Sequence, residues 1–249
     1  MGHGGAVEWQ QWSTGVSGVG ESPVWDAGVG ALHWVDLFVP TVHPSASAGA
    51  EPRTWGLSSM PGCLALAGRT DAVLAMDSGI WHLDLSDGAT TFLVPAPYDR
   101  ARYHFTDGRC DQLGRLWIGT NKRARSGAPR GSSEFYRLDD RGLVRMFDGV
   151  TISNGLAFSP DATRMYHADT VDDSLWVCDY DLATGEASDR RLLTRLRPGS
   201  MPDGAAVDVE GHYWVAMYGA RCVVRFTPDG DVDTVVEAPV DHPTMVAFG

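Results

Sequence analysis

The sequence predicts an all-β protein: a six-bladed β-propeller whose last blade is incomplete. Three observations predict it. Helical periodicity is nearly absent, and short apolar, aromatic and β-branched runs alternate with Gly, Pro, Asp and Ser clusters. A polar residue followed by Gly returns at intervals of about fifty residues, at Asp107-Gly108, Asn154-Gly155 and Asp203-Gly204. Each of these motifs is followed about nine residues later by a strand carrying an aromatic: Trp117, Tyr166 and Trp214.

The elements follow from that phase. Ala31–Asp36, Ala72–Met76 and Arg115–Gly119 read as strands. Turns at Gln112-Leu113-Gly114, Ser159-Pro160-Asp161 and Val209-Glu210-Gly211 separate the first two strands of three repeats. A third strand follows in each, at Glu134–Leu138, Ser174–Cys178 and Cys222–Phe226. Units begin near Glu21, Gly62, Asp107, Asn154 and Asp203, and a sixth begins at residues 243–249. Four-stranded repeats of this length are the mark of a propeller rather than a β-sandwich, and residues 1–249 form one such domain.

Composition narrows the partners. Hydrophobic residues make up 43% and charged residues 21%, a globular rather than a disordered balance. The net charge of -12 disfavours nucleic acid and anionic membranes and leaves a small molecule or a metal ion as partner. Cys63, Cys110, Cys178 and Cys222 lie far apart with no Cys-x-x-Cys pair, so four buried thiols in a reducing cytoplasm are expected. The start Met1-Gly2-His3-Gly4-Gly5 lacks the basic and apolar regions of a signal peptide, and no apolar run is long enough to span a membrane.

In a propeller the first strand of each blade lines the central channel, so equivalent positions face one another across it. Glu21, Asn154 and Asp203 open their repeats and can therefore converge although distant in sequence. Two carboxylates and one amide oxygen form a hard-ligand set suited to Ca²⁺, Mg²⁺, Mn²⁺ or Fe²⁺, with Zn²⁺ also accommodated. Three protein ligands leave coordination positions open for water or substrate. Asn-Gly and Asp-Gly are equally common turn dipeptides, and spacing alone leaves both readings open.

A resemblance adds to this. Gly20-Glu21-Ser22-Pro23-Val24-Trp25, Asp107-Gly108-Arg109, Gly114–Thr120, Ser153–Asp161, His167-Ala168-Asp169-Thr170, Pro202-Asp203-Gly204 and Gly211–Trp214 occur in the order found in one family. The chain resembles the senescence-marker-protein / gluconolactonase / luciferin-regenerating-enzyme family, which includes regucalcin. The resemblance implies a six-bladed propeller with one divalent ion in the channel, held by Glu21, Asn154 and Asp203. It further implies lactone hydrolysis, with Asp203 as general base.

The sequence also departs from the family. Where members commonly carry Arg-x-Asn-Asp-Gly, this chain has His104-Phe105-Thr106-Asp107-Gly108. Some members place an acidic residue where this chain reads Asn121-Lys122-Arg123-Ala124. His104, Thr106 and Asn121 are thus candidate substrate-binding residues in a rewritten pocket. A non-hydrolytic isomerisation or cyclisation at the same metal, or a metal-binding propeller without catalysis, are the alternatives to a hydrolase. The sixth repeat stops after one strand, so either the sequence is a shortened product or the ring closes through a neighbouring subunit, as a homo-oligomer. His167 reads as a channel residue or a packed strand residue. The basic run Lys122–Gly127 reads as a solvated loop or a cap that meets an anionic group. Trp25, Trp34, Trp117, Trp176 and Trp214 read as packing between blades.

Overall fold

The computed structural model describes residues 8–45, 53–124 and 127–249. Met1–Gly5, and Arg125-Ser126 of the basic run, lie outside the described residues. The described chain forms five four-stranded antiparallel sheets, each laddered in chain order. Blade one holds β1 (Gly20–Asp26), β2 (Ala31–Asp36), β3 (Thr41–Ser45) and β4 (Trp55–Gly56). Blade two holds β5 (Pro61–Leu66), β6 (Asp71–Met76), β7 (Gly79–Asp84) and β8 (Thr90–Pro95). Blade three holds β9 (Tyr103–Cys110), β10 (Leu116–Lys122), β11 (Ser133–Asp139) and β12 (Gly142–Val150). Blade four holds β13 (Ser153–Phe158), β14 (Arg164–Asp169), β15 (Ser174–Asp181) and β16 (Glu186–Arg195). Blade five holds β17 (Pro202–Val207), β18 (Tyr213–Met217), β19 (Cys222–Phe226) and β20 (Val232–Glu237). Among the described residues, no helix is long and apolar enough to cross a membrane.

Alternation within each strand buries side chains against both neighbouring blades, so the core is divided into wedges rather than one centre. Val35 and Val42 of blade one pack on Leu64, Leu74 and Leu83 of blade two. Ile80 of blade two meets Phe105, Ile118 and Tyr136 of blade three. Trp117 and Phe135 of blade three meet Leu156, Met165 and Tyr180 of blade four. Tyr166 and Leu175 of blade four meet Tyr213, Val215 and Phe226 of blade five.

Of the six blades expected, the last incomplete, the described residues form five. Residues 243–249 lie between β17 and β1, where Gly204 N donates to Thr244 O at 2.7 Å and Thr244 Oγ1 donates to Gly20 O at 2.6 Å. They are not part of a strand. Trp12, Trp25, Leu32 and Phe248 line a cleft of about 360 Å³ on this side, and Trp12 and Trp25 meet edge to face at 5.6 Å.

Other expectations resolve here. Cys63 and Cys178 are buried, but Cys110 and Cys222 are only partly so, and all four are free thiols. Trp117 is packed between blades as expected, whereas Trp25 and Trp34 border clefts.

His167 is a packed residue, not a channel residue. It is fully buried on β14 among Phe135, Phe147 and Trp176, and neither ring nitrogen has a hydrogen-bond partner. Burial, and then the Arg190 charge, hold its pKa well below the ordinary imidazole value. The folded state therefore refuses a proton that the unfolded chain accepts below about pH 6.5. That stability is present above this pH and is lost as pH falls, at up to about 1.4 kcal/mol per pH unit. His167→Phe should flatten the fall in Tm between pH 7.5 and 5.5 by a few degrees in thermal scans. An unchanged slope would show that His167 does not carry it.

Candidate functional site

Glu21, Asn154 and Asp203 are each the second residue of an inner strand: β1, β13 and β17. The local chain re-aims each of them. The ladder to the second strand shifts register just past Glu21 and Asn154, between Glu21 and Val24 and between Asn154 and Ala157, and across Asp203, between Pro202 and Ala205. Ser22 and Gly155, the residues after two of them, both take positive φ, at 52° and 66°. The strain at Ser22 is held from the next blade: its Oγ accepts from Leu64 N at 2.9 Å and donates to Leu64 O at 3.2 Å.

The polar-Gly motifs are not turns. They lie in strands, where the glycines permit close approach of the next element. A Cβ at Gly204 would stand 2.4 Å from Met245 Cγ, and one at Gly155 would stand 2.4 Å from the Tyr213 hydroxyl. That hydroxyl donates to Gly155 O at 2.6 Å, tying blade five to the backbone beside Asn154.

Asn154 is 8% exposed and Asp203 9%, while Glu21 opens on a cleft of about 260 Å³ shared with Trp12, Trp34, Thr244 and Met245. Burial, and then the charges of Asp203 and Asp107, hold the Glu21 carboxyl well above the carboxylate range. Burial and the Asp107 charge do the same to Asp203. Asp107 is pushed up to about 6 by burial, with Arg109 opposing. Burial thus raises all three carboxyl groups, and the Asp107 charge adds to it at Glu21 and Asp203, although their oxygens do not close to within 4.8 Å of one another.

Asp107 is the member that sequence reasoning missed. It occupies the same slot before Gly, which was the signal, but served there only as a repeat marker. Its Oδ2 accepts from Leu156 N at 2.8 Å, and its buried Oδ1 has no partner. Beneath it Arg109 crosses the channel, donating from Nη2 to Ala205 O at 2.8 Å and from Nε to Leu156 O at 3.5 Å.

His104 and Thr106 lie on β9 just before Asp107, and Asn121 of β10 pairs with His104 in the ladder. Thr106 is 9% exposed, and Asn121 Oδ1 is buried without a partner. His104 Nδ1 is 2.8 Å from Phe105 O, which can only accept, so Nδ1 carries the hydrogen and Nε2 the lone pair. Burial holds the His104 pKa below the ordinary value, so it is neutral at pH 7. Of the basic run, Arg123 pairs with Asp77, which also binds Arg100 at 3.1 Å, and Lys122 Nζ donates to Ala128 O at 3.3 Å.

Among the described residues, the group of acidic and imidazole side chains whose ligand atoms gather within 4.8 Å of one another is Asp208, Glu210 and His212, at the turn after β17. Arg225 already balances it, pairing with Glu210 and standing 2.9 Å from both Asp208 and Asp233. It reads as an ion-pair network.

Comparison with known proteins identifies the family and the fold. The chain is 36% identical to a 6-deoxy-6-sulfogluconolactonase of Pseudomonas putida, over 93% of this chain and 79% of that protein. It is 33% identical to an L-arabinolactonase of Azospirillum brasilense, over 92% and 77%. The crystal structure of a calcium-binding protein, regucalcin, from Agrobacterium tumefaciens superposes with a TM-score of 0.85 at 27% identity, covering 92% of this chain and 77% of that one. Residues 19–249 match the SMP-30/Gluconolactonase/LRE-like region, and the chain belongs to that family.

Proposed function

We propose that the protein is a divalent-metal-dependent hydrolase that opens a small lactone, with Glu21, Asn154 and Asp203 holding the ion. The observation that carries this reading is the set of carboxyl groups on the inner strands β1, β9 and β17, with Asp107 and Asp203 buried, Glu21 on the adjoining cleft, and their charges raising one another at Glu21 and Asp203. Buried carboxylates need a cation to remain ionised. Their oxygen donors suit Ca²⁺, Mg²⁺, Mn²⁺, Fe²⁺ or Zn²⁺. When bound, the ion supplies Lewis-acid polarisation of the lactone carbonyl and acidifies water. Asp203 takes the proton of the attacking water on a carboxylate oxygen. The lactonase names of two relatives support the reaction class. The position of residues 243–249 beside β17 supports reading them as the inner strand of a sixth blade. Four free thiols fit a reducing cytoplasm.

The test is a pH-indicator assay on a panel of lactones, run after chelation and again with each cation restored. Cation-restored opening of any lactone supports the proposal. If protein that binds a cation opens none, the reading passes to non-hydrolytic chemistry at the same residues. His104 favours that second reading, or at least a substrate other than the sugar lactones. It presents an acceptor at Nε2 where relatives commonly offer an arginine donor. His104→Arg with Thr106→Asn should raise kcat/KM on sugar lactones roughly tenfold or more, the worth of one or two regained hydrogen bonds. No gain would count against the account of the altered pocket.

A further inference from the structure

We propose that Thr170 is a positioning residue that fixes which way the Asn154 amide faces; this rests on the reading of Asn154 as a ligand. Thr170, 6% exposed, follows the end of β14. Its Oγ1 lies 2.7 Å from Pro202 O and 2.9 Å from Asn154 Nδ2. A carbonyl oxygen can only accept, so the single hydroxyl hydrogen goes to Pro202. The threonine oxygen must then accept, and the group facing it must be the NH₂ end of the amide. The Asn154 carbonyl oxygen is thereby turned away from Thr170 and left for a ligand. The same hydroxyl holds the backbone immediately before Asp203, so one side chain aligns two members of the trio.

The other blades show why the device occurs here. Asp36 pairs with Gly20 and Asp169 with Ser153, so Leu37 of blade one stands where Thr170 stands in blade four. Leu37 N donates to Val19 O and Thr170 N to Ile152 O, the same bond in both blades. In blade five Tyr218 takes this place, with its N donating to Met201 O. Glu21 and Asp203 are carboxylates whose two oxygens are equivalent, and neither needs its orientation chosen. Asn154 is the one amide in the trio, and its blade carries the hydroxyl. An amide turned the wrong way would present a donor to a cation.

The test compares Thr170→Val, which keeps the shape and loses both bonds, with Thr170→Ser, which keeps the hydroxyl. Calorimetric titration with Mn²⁺ and Ca²⁺ should show affinity about 10–100-fold weaker in the valine variant and within about threefold of wild type in the serine variant. Thermal scans check that both variants are folded. The second measurement needs no cation: in ¹⁵N spectra of the apo protein, the Asn154 side-chain NH₂, assigned through Asn154→Asp, should exchange slowly in wild type. Wild-type affinity in Thr170→Val, or equal losses in both variants, would overturn the proposal. So would a freely exchanging Asn154 amide in wild type, which also decides the matter if the valine variant does not fold. If wild type binds no cation but the amide is protected, the positioning stands and the metal reading fails.

Discussion

Asp203→Asn should lower kcat for lactone opening by roughly 10²–10⁴ and weaken cation binding at the same time. The amide keeps the volume and one oxygen donor but cannot take a proton from water. The same change should make the cation-free protein more stable. Asp203 is pushed up by burial and by Asp107, and Glu21 by burial, Asp203 and Asp107, so each ionised carboxylate in this cluster opposes folding. For acids whose folded pKa is raised, stability is fully present below the unfolded value near 4 and is lost as pH rises through the folded values. Asp107, at about 6, marks one point in that window. Apo wild type should therefore lose Tm from about pH 4 upward, and Asp203→Asn should lose less. Added cation should raise the wild-type Tm most at high pH, because it favours the ionised carboxylates. Thermal scans with and without chelator between pH 4 and 8 read all of this. An apo variant with lower Tm than wild type across that range would show that the carboxylates do not repel one another in the folded protein.

Much of the architecture was legible in the sequence because blades repeat their chemistry. Ala31–Asp36 was placed to the residue, and the five repeat starts fall on the five inner strands. The trio was chosen from the same phase, and its three members each fall at the second residue of an inner strand. What alternation cannot report is direction across neighbouring blades. Side chains on β14 face the wedges on either side, and only three-dimensional packing places His167 among Phe135, Phe147 and Trp176. Asp107 shared the slot, yet its unpartnered oxygen depends on Leu156 of the next blade reaching back to it. Thr170 was legible as part of a motif, but its role depends on a carbonyl thirty-two residues away. The incomplete sixth blade was expected from the likeness of residues 243–249 to the repeat starts, and those residues lie beside β17 and β1 without forming a strand.

Asp169→Ala should be among the most destabilising single changes in the chain, at about 3–5 kcal/mol in urea unfolding. The side chain is 3% exposed and closes the entry to β13. Its Oδ2 accepts from Thr151 N at 2.7 Å, and its Oδ1 accepts from Ile152 N and Val171 N, both at 3.2 Å. Thr151 is 1% exposed, so its N–H has no access to water once the carboxylate is gone. Ile152 is partly buried, while Val171, at 39% exposure, can be resolvated. A buried donor left without an acceptor costs about 1–3 kcal/mol, and bonds to a charged acceptor lie at the upper end of the range. Asp36 plays the same part in blade one, accepting from Gly18, Val19, Phe38 and Val39 N. Burial would raise the Asp36 carboxyl, but those four donors outweigh it and hold the pKa below its ordinary value. Yet Phe38 and Val39 are 73% and 59% exposed, so water can replace half of that set. Asp36→Ala should therefore cost less, about 1–2 kcal/mol, despite deleting more bonds. The ordering separates two accounts of these aspartates. If the number of bonds governs, Asp36 is the costlier loss; if the burial of the orphaned donors governs, as the geometry requires, Asp169 is. Because β13 carries Asn154 and β1 carries Glu21, each loss should also loosen the cation site from a different side, and titration with Mn²⁺ on whichever variants remain folded should show it.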